Sequence, residues 1–133
     1  MKIQKTSTVQ HIFDQFNLLF PYLKLEFFSK GHEDHKGNKS EDIINHQTLL
    51  TSINPELSEK EFTIDEEMTV SDFEQMMKDN FNLNVQVFRK SNDLWLQTTA
   101  TDHWTLLKQN GKGQRSTVKY DIDTIDITDF DVD

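Results

Sequence analysis

His32 and His35 bracket Glu33 and Asp34, and this run is the chain's nearest approach to a metal motif. Imidazole nitrogens and carboxylate oxygens hold divalent ions when several converge, and His46 is the nearest residue able to complete the set. The surroundings favour a solvated loop instead. Gly31 and Gly37 flank the run, residues 31–46 are polar almost throughout, and no apolar frame would hold the ligands together. Asp102-His103 invites an acid–base dyad. Neighbouring helical residues point in different directions, so the two cannot act on each other. Helix capping by Thr101 or Asp102, with His103 at the surface, accounts for both. No Gly-x-Ser-x-Gly turn, cysteine nucleophile or glycine-rich phosphate loop is present. The expectation is no catalytic residue, no metal and no cofactor. The enzyme alternative, metal-dependent or acting on a small molecule, rests on His32, His35, His46 and His103.

Carboxylates are the second chemical feature. Asp121, Asp123, Asp126, Asp129, Asp131 and Asp133 crowd the last 13 residues with no Lys or Arg among them. Asp121-x-Asp123-x-x-Asp126 lacks the turn glycine and closing glutamate of a calcium loop. Ile122, Ile125, Ile127, Phe130 and Val132 are interleaved with the acids. Residues 121–127 are then either an edge strand whose charges deter aggregation or a segment that adds to a basic partner's sheet. Residues 128–133 read as a free acidic tail, with Phe130 as a contact. The chain has 14 Lys and Arg against 23 Asp and Glu, and 17 once those six aspartates are set aside. Nucleic-acid affinity needs clustered cations, and the one loose cluster (Lys108, Lys112, Arg115, Lys119) directly precedes the acids. Nucleic acid is therefore not an expected partner. A nucleic-acid mimic is a further alternative, with Glu56, Glu59, Glu61, Asp65, Glu66, Glu67 and the tail imitating phosphates.

At 133 residues, 35% hydrophobic, the chain suits one domain, residues 1–127, followed by the tail. Ten phenylalanines supply much of its apolar volume. It has no cysteine, so disulfides and thiolate zinc sites are excluded. No apolar run approaches membrane-spanning length, and a cytoplasmic protein without a membrane partner is the expectation.

Two helices are legible. Ser7, with Gln10 in the reciprocal position, opens the first; Val9, Ile12, Phe13, Phe16, Leu19 and Phe20 share one face, and Pro21 ends it. Thr69-Val70-Ser71-Asp72 opens the second, which buries Val70, Phe73, Met77 and Phe81 and stops at Asn82. Leu23, Leu25 and Phe27 alternate with Lys24, Glu26 and Phe28, the pattern of a strand. Gln47 to Ile53 reads as a short strand, and Ser116 to Ile122 as a last one. A short third helix runs from Thr101 to about Asn110, ended by Gly111 and Gly113.

A two-residue turn at Asn92-Asp93 predicts a hairpin pairing Ser91 with Leu94, Lys90 with Trp95 and Phe88 with Gln97. Leu83, Val85, Val87, Leu94 and Leu96 then share the buried face. Phe88, Lys90, Trp95 and Gln97 share the other, with the Lys90 ammonium able to cover the Trp95 ring. An exposed aromatic pair among polar residues suits a protein contact.

Two resemblances follow. Val9 to Phe27 and Val70 to Val87 are alike as helix–strand units, each preceded by a short strand (Lys2-Ile3-Gln4 and Glu61-Phe62-Thr63-Ile64). Together they resemble the duplicated β-α-β unit of ferredoxin-like folds. More locally, Phe62-x-Ile64, an acidic turn, Thr69-Val70-x-Asp72-Phe73, Asn82-Leu83 and the hairpin from Val85 to Leu96 resemble the ubiquitin-like β-grasp fold over roughly residues 47–122. That resemblance implies partner binding through a sheet face. It does not carry conjugation chemistry, because the sequence ends in Asp-Phe-Asp-Val-Asp without Gly-Gly. The expected architecture is α+β, a mixed β-sheet with two main helices on one face, β-grasp-like or alternatively ferredoxin-like. The expected function is a non-catalytic interaction or regulatory module that binds another protein through Phe88, Lys90, Trp95 and Gln97, through the acidic end, or both.

Overall fold

The computed structural model describes residues 1–31 and 39–117. Along the chain lie β1 (Lys2–Ile3), α1 (Val9–Leu19), β2 (Leu23–Phe28), α2 (Leu50–Ile53), β3 (Lys60–Glu61), α3 (Val70–Phe81), β4 (Asn84–Ser91), β5 (Leu94–Gln97) and α4 (Leu106–Thr117). Single 3-10 turns occupy Ser40–Asp42 and Thr99–Thr101. The fold is α+β. Its strands form two antiparallel sheets, β1-β3 and β2-β4-β5, rather than one mixed sheet.

The first four N–H groups of a helix have no partner within it, and α1 and α3 solve this in the same way. In α1, Val9 N–H donates to Thr48 O at 2.9 Å and Gln10 N–H to His46 O at 2.8 Å. His11 N–H reaches the Thr8 hydroxyl at 3.3 Å, and Ile12 N–H the Thr8 carbonyl at 3.4 Å. In α3 the matching acceptors are Trp104 O, Asp102 O, the Thr69 hydroxyl and Thr69 O. The exchange is reciprocal: Leu50 N–H donates to Ser7 O, and Leu106 N–H to Met68 O. Each of these helices is thus tied at its first turn to the start of the helix that follows it, α1 to α2 and α3 to α4. The internal likeness seen between residues 9–27 and 70–87 extends to these backbone bonds.

Like strands pair with like: β1 with β3, and β2 with β4 in a register that sets Leu25 against Val87 and Glu26 against Gln86. α1 and α3 lie on the same face of the larger sheet. Val9, Ile12 and Phe16 meet Val70, Phe73 and Met77 over Leu23, Leu25, Phe27, Leu83, Val85 and Val87, all buried. Phe16 stands 5.2 Å from both Phe20 and Phe73, ring centre to ring centre. Asn82 ends α3 in the left-handed conformation at φ 52°, which asparagine tolerates.

Several local expectations shift. The cap of α1 is Thr8, whose box partner is His11 rather than Gln10. The Ser7 hydroxyl instead accepts from Gln4 N–H at 3.0 Å. Residues 50–53 are helical rather than extended, because the start of α2 is spent on α1. Residues 39–46 attach to the edge of β2, with Ile44 N–H on Phe27 O at 2.8 Å, instead of looping free.

α4 begins after Thr105 rather than at Thr101, and runs through Gly111 and Gly113 to Thr117, so residues 116 and 117 are helical. Gly113 is needed for close approach: a Cβ there would lie 2.8 Å from Tyr22 Cβ and 2.9 Å from Tyr22 O. The expected strand or tail over residues 121–127 and the tail at 128–133 lie outside the described residues.

Candidate docking face

The hairpin has the register expected from its turn: Phe88 opposite Gln97, Lys90 opposite Trp95 and Ser91 opposite Leu94. Asn92 carries the positive φ, 53°, that a two-residue loop requires. Alternation places Val85 and Val87 in the core, and Phe88, Lys90, Trp95 and Gln97 on the opposite face. Because β2 pairs with β4, Lys24, Glu26 and Phe28 join that face.

The face has a dry end and a cationic end. Phe28 stacks on Phe88, centroids 6.5 Å apart and planes within 18°. Phe88 is only 8% exposed, so the expected exposed aromatic pair reduces to Trp95, which is half-buried. The Lys24 ammonium lies 5.1 Å from the Phe88 ring centre and 5.3 Å from that of Trp95. Lys90 approaches Trp95 from 5.9 Å. Two cations therefore flank one indole, in the range where the ring quadrupole attracts charge. Neither lysine has a carboxylate partner among the described residues.

Between Phe28 and Phe88 in the register, Glu26 faces Gln86, both buried. Glu26 Oε1 lies 2.7 Å from His46 Nε2, and Gln10 Oε1 is 3.1 Å from His46 Nδ1. The imidazole packs against Phe13, ring centres 4.8 Å apart. Gln86 makes no hydrogen bond through either amide atom.

The outer edge of β5 completes the surface. Lys90 N–H donates to Tyr22 O at 2.9 Å, so the main chain of Lys90 is turned toward β2. Ser91–Leu94 and Arg89–Leu96 are then the pairs bonded across the hairpin, and the main-chain groups of Trp95 and Gln97 point outward. No described strand pairs with them. The edge closes at Val87: its N–H donates to Glu74 Oε2 at 2.9 Å, and its carbonyl accepts from the Thr98 hydroxyl at 2.8 Å. Leu94 and Leu96, expected inside, are 66% and 39% exposed on the other side of β5. The helices do not extend far enough to cover this edge strand.

No protein-family model, curated protein or solved structure matches the chain.

The histidines are not gathered into a catalytic set among the described residues. His11 caps α1, His46 is held by Glu26, and His103 is exposed. No group of three or more His, Asp or Glu side chains there is placed to hold a metal. His32, His35 and Phe130 lie outside the described residues. A polar cleft of about 190 Å³ lies between α3 and the start of β4, lined by Ser71, Glu74, Lys78, Asn84 and Asp102. It occupies the place in the second half that His46 fills in the first: His46 O receives Gln10 N–H, and Asp102 O receives Ser71 N–H. Among the described residues no helix is long and apolar enough to cross a membrane.

Sequence reasoning missed Lys24 and the Glu26–His46–Gln10 chain. The signal for Lys24 was the alternation in β2, which identifies its face-mates but not the strand beside it. His46 was legible only as a possible metal ligand, because its actual role depends on Glu26, a sheet residue distant in sequence.

Proposed function

We propose that this chain is a non-catalytic, cytoplasmic protein-interaction module, and that its contact surface is the β4–β5 hairpin. The observation that carries the reading is the open edge of β5. There an indole flanked by two lysines sits on a strand whose outer side pairs with no described strand, with Leu94 and Leu96 exposed on the opposite side. Main-chain groups at such an edge supply affinity by strand addition, and the alternating side chains supply selectivity. Buried polar surface around a half-covered tryptophan is a common setting for a binding hot spot.

The test is capture of a protein by the full chain, compared with Trp95→Ala and Leu96→Lys variants shown to be folded by thermal melting. Both variants should weaken binding to the captured protein, Trp95→Ala by at least about 2 kcal/mol or roughly 30-fold. Leu18→Lys, at the end of α1 where Leu18 is 83% exposed, should leave it unchanged. Unchanged binding in both hairpin variants, or loss only in Leu18→Lys, overturns the proposal.

A further inference from the structure

We infer that the partner of the hairpin face is an acidic peptide segment, whose carboxylates are received by the ammoniums of Lys24 and Lys90 around Trp95. The inference rests on reading the hairpin as the contact surface, and deepens it by naming the chemistry of what binds there. The register brings the three side chains together. Lys90 stands directly opposite Trp95, and Lys24, opposite Phe88, belongs to the next row on the same face. Their ammoniums lie over the indole at 5.9 and 5.3 Å from its centre. A ring quadrupole attracts a cation without cancelling its charge. No carboxylate among the described residues pairs with either lysine. The acids nearest in the register do not supply one: Glu26 is buried against His46, and Asp93 is exposed in the turn. What this end of the face lacks is negative charge.

That need separates the classes of partner. A cationic or cation-seeking aromatic cage is the wrong complement, because the indole already carries two ammoniums. Nucleic acid binds through many phosphate contacts, and two lysines on a chain of formal charge -9 do not provide them. A short acidic segment needs only the local pair. The net charge is screened beyond a Debye length of about 8 Å at physiological ionic strength, so the lysines decide what lands beside them. Lys24, Lys90 and Trp95 are all half-buried, hence reachable yet less screened than fully exposed groups. In an extended peptide, carboxylates at alternate positions share one face at a spacing of about 7 Å, which suits two ammoniums gathered around one indole.

The test titrates the full chain with an acetylated and amidated Glu-Leu-Glu-Leu-Glu peptide, following the Trp95 indole resonance. The glutamate peptide should shift it saturably, and its glutamine counterpart should not. Lys24→Gln/Lys90→Gln, shown by thermal melting to be folded, should weaken binding by roughly fivefold or more, as should raising the salt. Lys24→Arg/Lys90→Arg should retain it. Absence of a shift with the glutamate peptide overturns the inference, as does equal binding of the glutamine peptide or of the Lys→Gln double variant. Binding that emerges only when the six C-terminal aspartates are changed to asparagine identifies the chain's own end as the occupant, and overturns the assignment to a partner. If a captured protein is released by Trp95→Ala but held equally by the Lys→Gln double variant, the contact surface stands and its acidic selectivity falls.

Discussion

Gln86 lies fully buried in the middle of β4, opposite Glu26, and neither its amide nitrogen nor its amide oxygen has a hydrogen-bond partner. Its neighbours on that face include the stacked rings of Phe28 and Phe88. An amide removed from water without replacement hydrogen bonds costs about 1–3 kcal/mol by protein mutational measures. Methionine keeps the unbranched shape, fills a similar volume and carries no strong donor or acceptor. Gln86→Met should therefore stabilise the protein by about 1–2 kcal/mol, the removed penalty less a small repacking cost. For a chain of this size that raises the melting temperature by roughly 3–8 °C. Urea titration read by circular dichroism measures it directly: the midpoint should rise with the slope unchanged. A variant destabilised by 1 kcal/mol or so would refute the reasoning, because it would mean that the amide is hydrogen-bonded in solution and that its loss orphans a partner.

Two further outcomes follow from the packing. Gly113→Ala should destabilise by about 1–2 kcal/mol: overpacking against Tyr22 Cβ and its carbonyl at 2.8 and 2.9 Å outweighs the roughly 1 kcal/mol by which alanine favours a helix; a more stable variant in a thermal melt would show that α4 can move off the sheet at no cost. Glu26 and His46 should be coupled: a double-mutant cycle with Glu26→Gln and His46→Gln should give an interaction of about 1 kcal/mol or more, since one partner is buried and the contact is 2.7 Å. Additive single effects in that cycle would mean that the pair contributes nothing beyond its separate members.

The helix faces and the hairpin were legible because they are local. Thr69 followed by Val70, Phe73 and Met77 specifies a cap and an apolar stripe within one turn or two, and Asn82 marks its end. The Asn92-Asp93 loop sets the register of every pair behind it, and the observed pairs are the expected ones. Within α1 the limit was a single residue: Ser7 and Thr8 are equally suited to cap a helix, and the choice went to Thr8 because Ser7 is engaged by Gln4.

What the chain could not disclose by itself is what stands opposite each face. Period two in β2 groups Lys24 with Glu26 and Phe28, yet only pairing with β4 puts Lys24 over Trp95. Gly111 and Gly113 read as a stop, and the helix passes through both because Tyr22 needs the space of a missing side chain and its N–H finds Asn110 Oδ1 at 2.9 Å, 88 residues away. Residues 47–53 have strand-like composition, and 50–53 are helical because backbone groups at the start of this stretch are exchanged with α1: Thr48 O accepts from Val9 N–H and Leu50 N–H donates to Ser7 O. Local dihedral preference and nearest neighbours set the caps, stripes and turn, and these are written along the chain. Burial and the pairing of backbone groups across long separations are decided when the folded chain brings distant surfaces together, and the outer face of the larger sheet, the candidate site, is made almost wholly of such pairings.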